Sequence, residues 1–314
     1  MAILTKFLKK DFNAVLKNYN LGSHKRHRHI PFALGNTNYI LWTTKGKYFL
    51  KIFESGSDSD VNFQIKIQRR VYKKGVEIPK IFLNKKGKEL TMHNKKRVMI
   101  TEFVNGRHPH SYNKKVLKEL SENFVELHKV LLTLKLRGNV EFLPLDKMHR
   151  FINKNKDPFV KKALPKLMKE INSLNKSKMR KCIIHGDLNE VNLMMNKGKL
   201  VSFIDWDDAH RDYLVRDIGV FLTHTVLTTA SIRPELMSYF LKIYDKGMKL
   251  SLDEKKGVYY SIKVRLLGSA TWIYLQCKNH PEQVEKLTRY IENNKTRFKI
   301  IDSITADDFV KLFD

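Results

Sequence analysis

Two short stretches carry residue types and spacing suited to phosphate chemistry. In His185-Gly186-Asp187-Leu188-Asn189-Glu190-Val191-Asn192 a carboxylate is followed, after four intervening residues, by an amide, and Phe203-Ile204-Asp205-Trp206 adds a second carboxylate. Moving a phosphoryl group onto a hydroxyl needs an acceptor for the hydroxyl proton. It also needs hard oxygen ligands for the divalent cation that neutralises phosphate charge. Asp187 is the candidate base, and Asn192 and Asp205 are the candidate metal ligands.

The intervening residues supply a means of bringing the parts together. Leu193 to Met195 and Leu200 to Ile204 read as strands joined by a tight turn at Asn196-Lys197-Gly198. Such a hairpin folds Ile204 back towards Leu193, so that Asp205 is expected to emerge near Asn192. A polar turn with a capping Asp would explain either stretch alone. Both stretches, in order and linked by a hairpin, favour a site.

Further from the motif, Met1 to Asn20 shows a helical stripe through Ile3, Leu4, Phe7, Leu8, Phe12, Val15 and Leu16. Thr37 to Thr43 and Lys47 to Phe53 then read as a hairpin, and Val61 to Lys74 as a helix closed by Gly75. Ile78 to Leu83 and Arg97 to Phe103 read as further strands, with a turn at Asn84 to Gly87. From Leu117 to Leu134 the helical period takes over. Leu214 to Thr228, Pro234 to Met248, Glu254 to Cys277 and Glu282 to Lys295 continue it, the last two as a helical hairpin. The expected architecture is α+β and bilobal. Residues 1–104 form a small antiparallel-sheet lobe and residues 105–314 a larger helical lobe, and clefts between lobes commonly take ligands.

The two motifs resemble the signatures of the aminoglycoside phosphotransferase-like superfamily, the small-molecule relatives of protein kinases. The Asp187-to-Asn192 spacing is that of the kinase catalytic loop, and the order of the lobes agrees. The resemblance implies a protein-kinase-like fold with ATP and Mg2+ as cofactors. It makes Lys51 the residue contacting nucleotide phosphates and assigns adenine contacts to backbone groups of Glu102 and Val104. Lys51 shares a strand face with Phe49 and Phe53. Asp217 resembles the family's Asp at a helix start and is read as structural, as is His185, which holds its loop.

The chain departs from the pattern in two places. No glycine-rich loop precedes the first hairpin, only Gly35-Asn36-Thr37, so phosphate cradling falls to backbone N–H groups with Asn36 or Thr37. Where the resemblance expects a glutamate to pair with Lys51, the helix offers Gln64 and Gln68. His24, His27 and His29, interleaved with Lys25, Arg26 and Arg28, read as an exposed basic loop.

The formal net charge of +28 and a pI near 9.9 raise the question of a polyanion partner. The lysines are scattered in pairs through almost every segment, so they read as solvated faces. No specific nucleic-acid partner is expected. Cys182 and Cys277 suggest neither a disulfide framework nor a metal site. Leu214 to Ala230 contains Arg216, Asp217 and His224, which argues against a membrane span. A cytoplasmic protein is expected.

Within the superfamily the N-terminal half is most similar to homoserine kinases of this fold. The matching pieces are Tyr19-Asn20-Leu21-Gly22, Gly35-Asn36-Thr37-Asn38-Tyr39 and Thr43-Thr44-Lys45-Gly46-Lys47-Tyr48. The expected partner is therefore a small hydroxylated molecule, homoserine or a similar amino alcohol. Asp207 or Asp208 is expected to attract its amine, and Arg265 to meet its carboxylate. A kinase for choline, ethanolamine or an aminosugar would share every catalytic residue. A non-catalytic nucleotide- or nucleic-acid-binding protein would not need a positioned base.

Overall fold

Two regions of the chain fold as units: Met1–Gly106 together with Val201–Asp207, and Arg107–Leu200 together with Asp208–Asp314. The computed structural model describes residues 5–31, 35–136, 157–279 and 281–314.

The first unit is built on a five-stranded antiparallel sheet of order β1-β2-β3-β5-β4. Its strands are β1 (His24–Ile30), β2 (Thr37–Thr43), β3 (Lys47–Phe53), β4 (Leu90–His93) and β5 (Lys96–Glu102). The two faces of the central strand bury different partners. Tyr48, Leu50 and Ile52 join Phe7, Phe12, Val15 and Leu16, on the side of helix α1 (Lys9–Leu16). Phe53 joins Val61 and Ile65 of helix α2 (Asp58–Lys73). Lys51 belongs by alternation to the α2 face.

Three local expectations are corrected here. The helix foreseen over Met1 to Asn20 is confined to α1, and its residues 1–4 lie outside the described residues. Asp11 Oδ2 accepts the Leu8 N–H at 2.8 Å, which caps the helix just before Lys9, while Thr5 N–H reaches Glu54 at 2.7 Å. The histidine-rich segment is an edge strand rather than a loop. His24 and His27 stack on Phe12 and bond to each other at 2.9 Å. Lys25, Arg26 and Arg28 stay exposed along that edge, as charged residues on edge strands commonly do. Ile78 to Leu83 makes only an isolated bridge at Ile81, and β4 is a partner of β5 instead. The 78–83 segment bonds to the end of β5 that β4 does not reach, through Phe82 N–H to the Ile100 carbonyl and Glu102 N–H to the Lys80 carbonyl, both at 2.9 Å.

The second unit is mainly helical. Its helices are α3 (Lys114–Thr133), α4 (Pro158–Asn172), α5 (Val215–Thr225), α6 (Pro234–Met248), α7 (Leu252–Asn279), α8 (Val284–Asp302) and α9 (Ala306–Val310). α7 is the axis of the unit and packs against α4, α5, α8 and α9. Its residues Val258, Ile262, Val264, Leu266 and Leu267 are buried. So is Lys263, whose Nζ sits 2.7 Å from both Glu170 of α4 and Asp302 of α8. A Cβ on Gly219 of α5 would lie 2.3 Å from the Ser261 Cβ, so this glycine lets α5 and α7 approach closely. Phe124, Phe221, Phe240 and Tyr244 form an aromatic core among α3, α5 and α6.

Where one strand pair was foreseen in this half of the chain, the described residues form two. β6 (Lys181–Ile184) pairs antiparallel with β9 (His210–Tyr213). β7 (Leu193–Asn196) and β8 (Lys199–Phe203) form a second two-stranded sheet across a turn in which Lys197 and Gly198 both have positive φ. The chain passes from the second unit to the first within β8. Among the described residues, no helix is long and apolar enough to cross a membrane.

Candidate functional site

In the first unit, the centre of the sheet presents a buried charge. Lys51 is 4% exposed, and its Nζ lies 2.9 Å from Asp205 Oδ1 and 2.7 Å from Asp207 Oδ1. Burial alone would strip the proton from this lysine, but the two carboxylates outweigh it and hold the ammonium charged. Burial pushes Asp207 upward against the pull of Lys51, and the neighbouring Asp205 carboxylate adds to the rise. The other Asp207 oxygen accepts from Asn36 Nδ2 at 2.7 Å, and its backbone carbonyl accepts from Gln64 of α2. These contacts show what stands in place of the expected glutamate. Two aspartates pair with the lysine, and the helix glutamine secures one of them through its backbone.

Asp205 has φ of +61°, a conformation that is disfavoured for residues with a side chain. The next residue anchors it: Trp206 is almost wholly buried, and its indole N–H donates to the Phe203 carbonyl at 3.2 Å. The Asp205 side chain remains about half exposed.

In the second unit, the motif loop between β6 and β7 is clamped through its backbone. Asp217, at the start of α5, is fully buried and accepts the His185 N–H and the Gly186 N–H, each at 2.8 Å. His128 of α3 lies 3.2 Å from the same carboxylate and 2.7 Å from the Tyr244 hydroxyl. Burial alone would raise Asp217, but its hydrogen bonds and the nearby histidines hold it below the ordinary carboxylate value. Gly186 has φ of +83°, and a Cβ there would lie 2.3 Å from the Asp208 carbonyl oxygen. His185 is buried and its Nδ1 accepts the Asp187 N–H at 3.3 Å. The Asn192 amide nitrogen donates to the Asp187 carbonyl at 2.7 Å and to Asp187 Oδ2 at 2.9 Å, which leaves the amide oxygen as a hard donor. Arg265 of α7 reaches Asp187 Oδ1 at 2.5 Å.

Glu190 of this loop interacts with the charges of Arg265 and Arg297 and with Tyr112, and the motif signalled none of these groups. Glu190 Oε2, the Tyr112 hydroxyl, Arg265 Nε, Arg297 Nε and both amide atoms of Asn294 are buried without a hydrogen-bond partner among the described residues. Burial pushes Glu190 upward, opposed first by a hydrogen bond from its own backbone N–H and then by the charges of Arg297 and Arg265. Burial and the same two arginines push His224 down to about 3, so it is neutral at physiological pH. Tyr290, Asn294 and Arg297 recur at helical spacing on one face of α8. That spacing was the available sequence signal, hidden among the polar residues common on any helix.

The other expected site residues sit as follows. Asn36 bonds Asp207 and accepts the Glu54 N–H at 3.1 Å, and the Thr37 hydroxyl bonds Glu54, so both side chains tie the segment before β2 to the rest of the first unit. The Glu102 N–H is taken by the Lys80 carbonyl, and Val104 follows the end of β5. Asp207 was foreseen as an anchor for a substrate amine, but its carboxylate is occupied by Lys51 and Asn36. Arg265 was foreseen facing a substrate carboxylate, and here it touches Asp187. Asp208 lies in the second unit, where its carbonyl accepts from His210 at 2.7 Å.

Residues 28–249 match the model of the phosphotransferase enzyme family. The homoserine kinase of Bartonella henselae is 24% identical over 228 residues, 71% of this chain and 72% of that protein. The homoserine kinase of Neisseria meningitidis serogroup B is 23% identical over 309 residues, 95% and 98% of the two chains. Among solved structures, the amicoumacin kinase hAmiN in complex with AMP-PNP, Ca2+ and Ami superposes with a TM-score of 0.75 at 18% identity, covering 95% of this chain and 97% of that one. That likeness is one of fold, the α+β protein-kinase-like fold.

Proposed function

Since the chain belongs to the phosphotransferase enzyme family and is a small-molecule kinase, we propose that it transfers the γ-phosphoryl group of ATP to the terminal hydroxyl of L-homoserine or a close amino alcohol. One observation supports the chemistry above all. Asp187 is held by Asn192 and Arg265 on a loop whose backbone is fixed by a buried aspartate. A base on a loop whose backbone is fixed in this way is already in position when the acceptor arrives.

In the proposed reaction the acceptor hydroxyl oxygen attacks the γ-phosphorus and the bond to the β–γ bridging oxygen breaks. ADP leaves, and the hydroxyl proton passes to Asp187. Lys51 binds the nucleotide phosphates. Glu102, through its carbonyl, and Val104 bind the adenine, and the backbone near Asn36 and Thr37 lies against the phosphates. Asn192 and Asp205 would hold Mg2+, which when bound neutralises phosphate charge. Their donors suit it. Among the described residues no group of three or more His, Cys, Asp or Glu forms a ready-made cage. Magnesium at phosphates keeps several waters and takes only one or two protein oxygens.

The substrate assignment draws on the homoserine kinase relatives and on the N-terminal motifs. The test is turnover with labelled ATP against homoserine, threonine, choline, ethanolamine and aminosugars at equal concentration. Homoserine is expected to lead. Asp187→Asn is expected to cut kcat by roughly 10²- to 10⁴-fold while ATP still binds. Preference for choline or an aminosugar would remove the amino-acid assignment, and turnover of the variant within tenfold of the parent would remove the base assignment.

A further inference from the structure

The buried polar atoms without partners on the Asp187 loop, on Arg265 and on the Arg297 face of α8 are of opposite kinds. Glu190 presents a carboxylate oxygen, Arg297 and Arg265 present guanidinium N–H groups, and Asn294, 1% exposed, has neither amide atom bonded among the described residues. Buried polar groups left unmet are costly and uncommon, and a set of them beside a reactive group marks a place completed by a ligand. A ligand with one charge would satisfy half of this set, whereas a zwitterion satisfies both halves. Glu190 belongs to the same loop as Asp187, Arg265 touches Asp187 directly and Arg297 acts on Glu190 through its charge, so these three adjoin the proposed base. His224 is neutral here and adds no third positive charge. Arg265, Asn294 and Arg297 lie beyond the residues matched by the family model, so they are features of this chain that the match does not cover.

Resting on the reading of the chain as a kinase for an amino alcohol, we propose that Glu190 and Arg297 are the specificity anchors of the acceptor. Glu190 takes its ammonium group, and Arg297, with Arg265, takes its carboxylate. Asn294, one turn before Arg297 on the same face of α8, completes the carboxylate contacts. Arg265 then has two partners in turn: Asp187 before substrate arrives and the substrate carboxylate afterwards, which releases the base for the hydroxyl. The acceptor class is an L-amino acid bearing a side-chain hydroxyl.

The test separates recognition from turnover. L-2-aminobutyrate, the homoserine skeleton without its hydroxyl, is titrated calorimetrically into the parent enzyme, Glu190→Gln and Arg297→Met. ATP titration of each confirms a folded protein, and Glu190→Asp and Arg297→Lys replace any variant that fails it. In parallel, kcat/KM is measured for homoserine, 3-aminopropan-1-ol and 4-hydroxybutyrate.

Each substitution is expected to weaken 2-aminobutyrate binding and homoserine turnover about 10- to 100-fold, the range of a hydrogen bond to a charged group. Glu190→Gln should also impair 3-aminopropan-1-ol but spare 4-hydroxybutyrate, and Arg297→Met should do the reverse. Equal losses on all three substrates would overturn the proposal, as would phosphorylation of another alcohol by an enzyme that does not bind 2-aminobutyrate. If no alcohol is phosphorylated, yet 2-aminobutyrate binds and the two variants lose it, the kinase reading fails and the anchors stand.

Discussion

Asp207, partly buried, and Asp217, fully buried, are carboxylates of the two units, and they are held in opposite ways. Asp207 faces a lysine and an amide but shares its surroundings with Asp205, and burial drives it upward. Among the described residues Asp217 faces donors, namely two backbone N–H groups of the motif loop and His128, and it is driven downward. The difference shows that burial does not by itself decide the state of an acid. The count of donors against competing negative charge decides it. In the first unit the aspartates neutralise a lysine brought in by the sheet. In the second the aspartate fixes a loop.

The sharpest way to break this comparison is Asp217→Asn. An amide leaves one loop N–H facing another donor in a buried place, and a buried donor left unsatisfied costs about 1–3 kcal/mol. Chemical denaturation should report that loss together with reduced kcat. Asp207→Asn is expected to cost less by the same measurement, about 1 kcal/mol: the amide oxygen still meets Lys51, Asp205 keeps the lysine paired, and the amide nitrogen that then faces Asn36 Nδ2 lies at a partly exposed position. Equal costs for the two would mean that both carboxylates do the same work.

The smallest effect is in the pH dependence, and it should have opposite signs. Asp217 has a folded pKa below that of the unfolded chain, about 3.9. Its stabilisation is therefore present above roughly pH 4 and is lost as pH falls through the folded value. Asp207 has a folded pKa above the unfolded one, so its contribution is present below about pH 4 and is lost as pH rises through the folded value. The stability gap between parent and Asp217→Asn should shrink on acidification, and the gap for Asp207→Asn should widen. Denaturation curves from pH 3 to 7 would show both, with slopes below about 1.4 kcal/mol per pH unit.

Much of the fold was legible where the signal is local. β2, β3 and α6 span the residues their patterns indicate, because alternation and helical period are properties of neighbouring residues. The strand β1 was hidden, since a run of histidines and arginines has no apolar alternation. Its strand character comes from pairing with β2 and from stacking on Phe12. α4, β6 and β9 also escaped the reading. β6 and β9 are four residues each, too short to carry a period, and they exist because they pair with each other.

The candidate site divides along the same line. The sequence by itself determined which groups stand at Lys51, Asp187, Asn192 and Asp205, and it determined the contact between Asp187 and Asn192, because a one-turn loop brings residues five apart together. Only the tertiary structure decided what each group meets. The partners of Lys51 lie more than 150 residues away, and Arg265 meets Asp187 from 78 residues further along the chain. The clamp on His185 and Gly186 comes from a helix that begins after β9. Type and short-range spacing are written in the chain. Pairing between distant charges depends on how sheets and helices pack, and packing reflects the whole sequence at once.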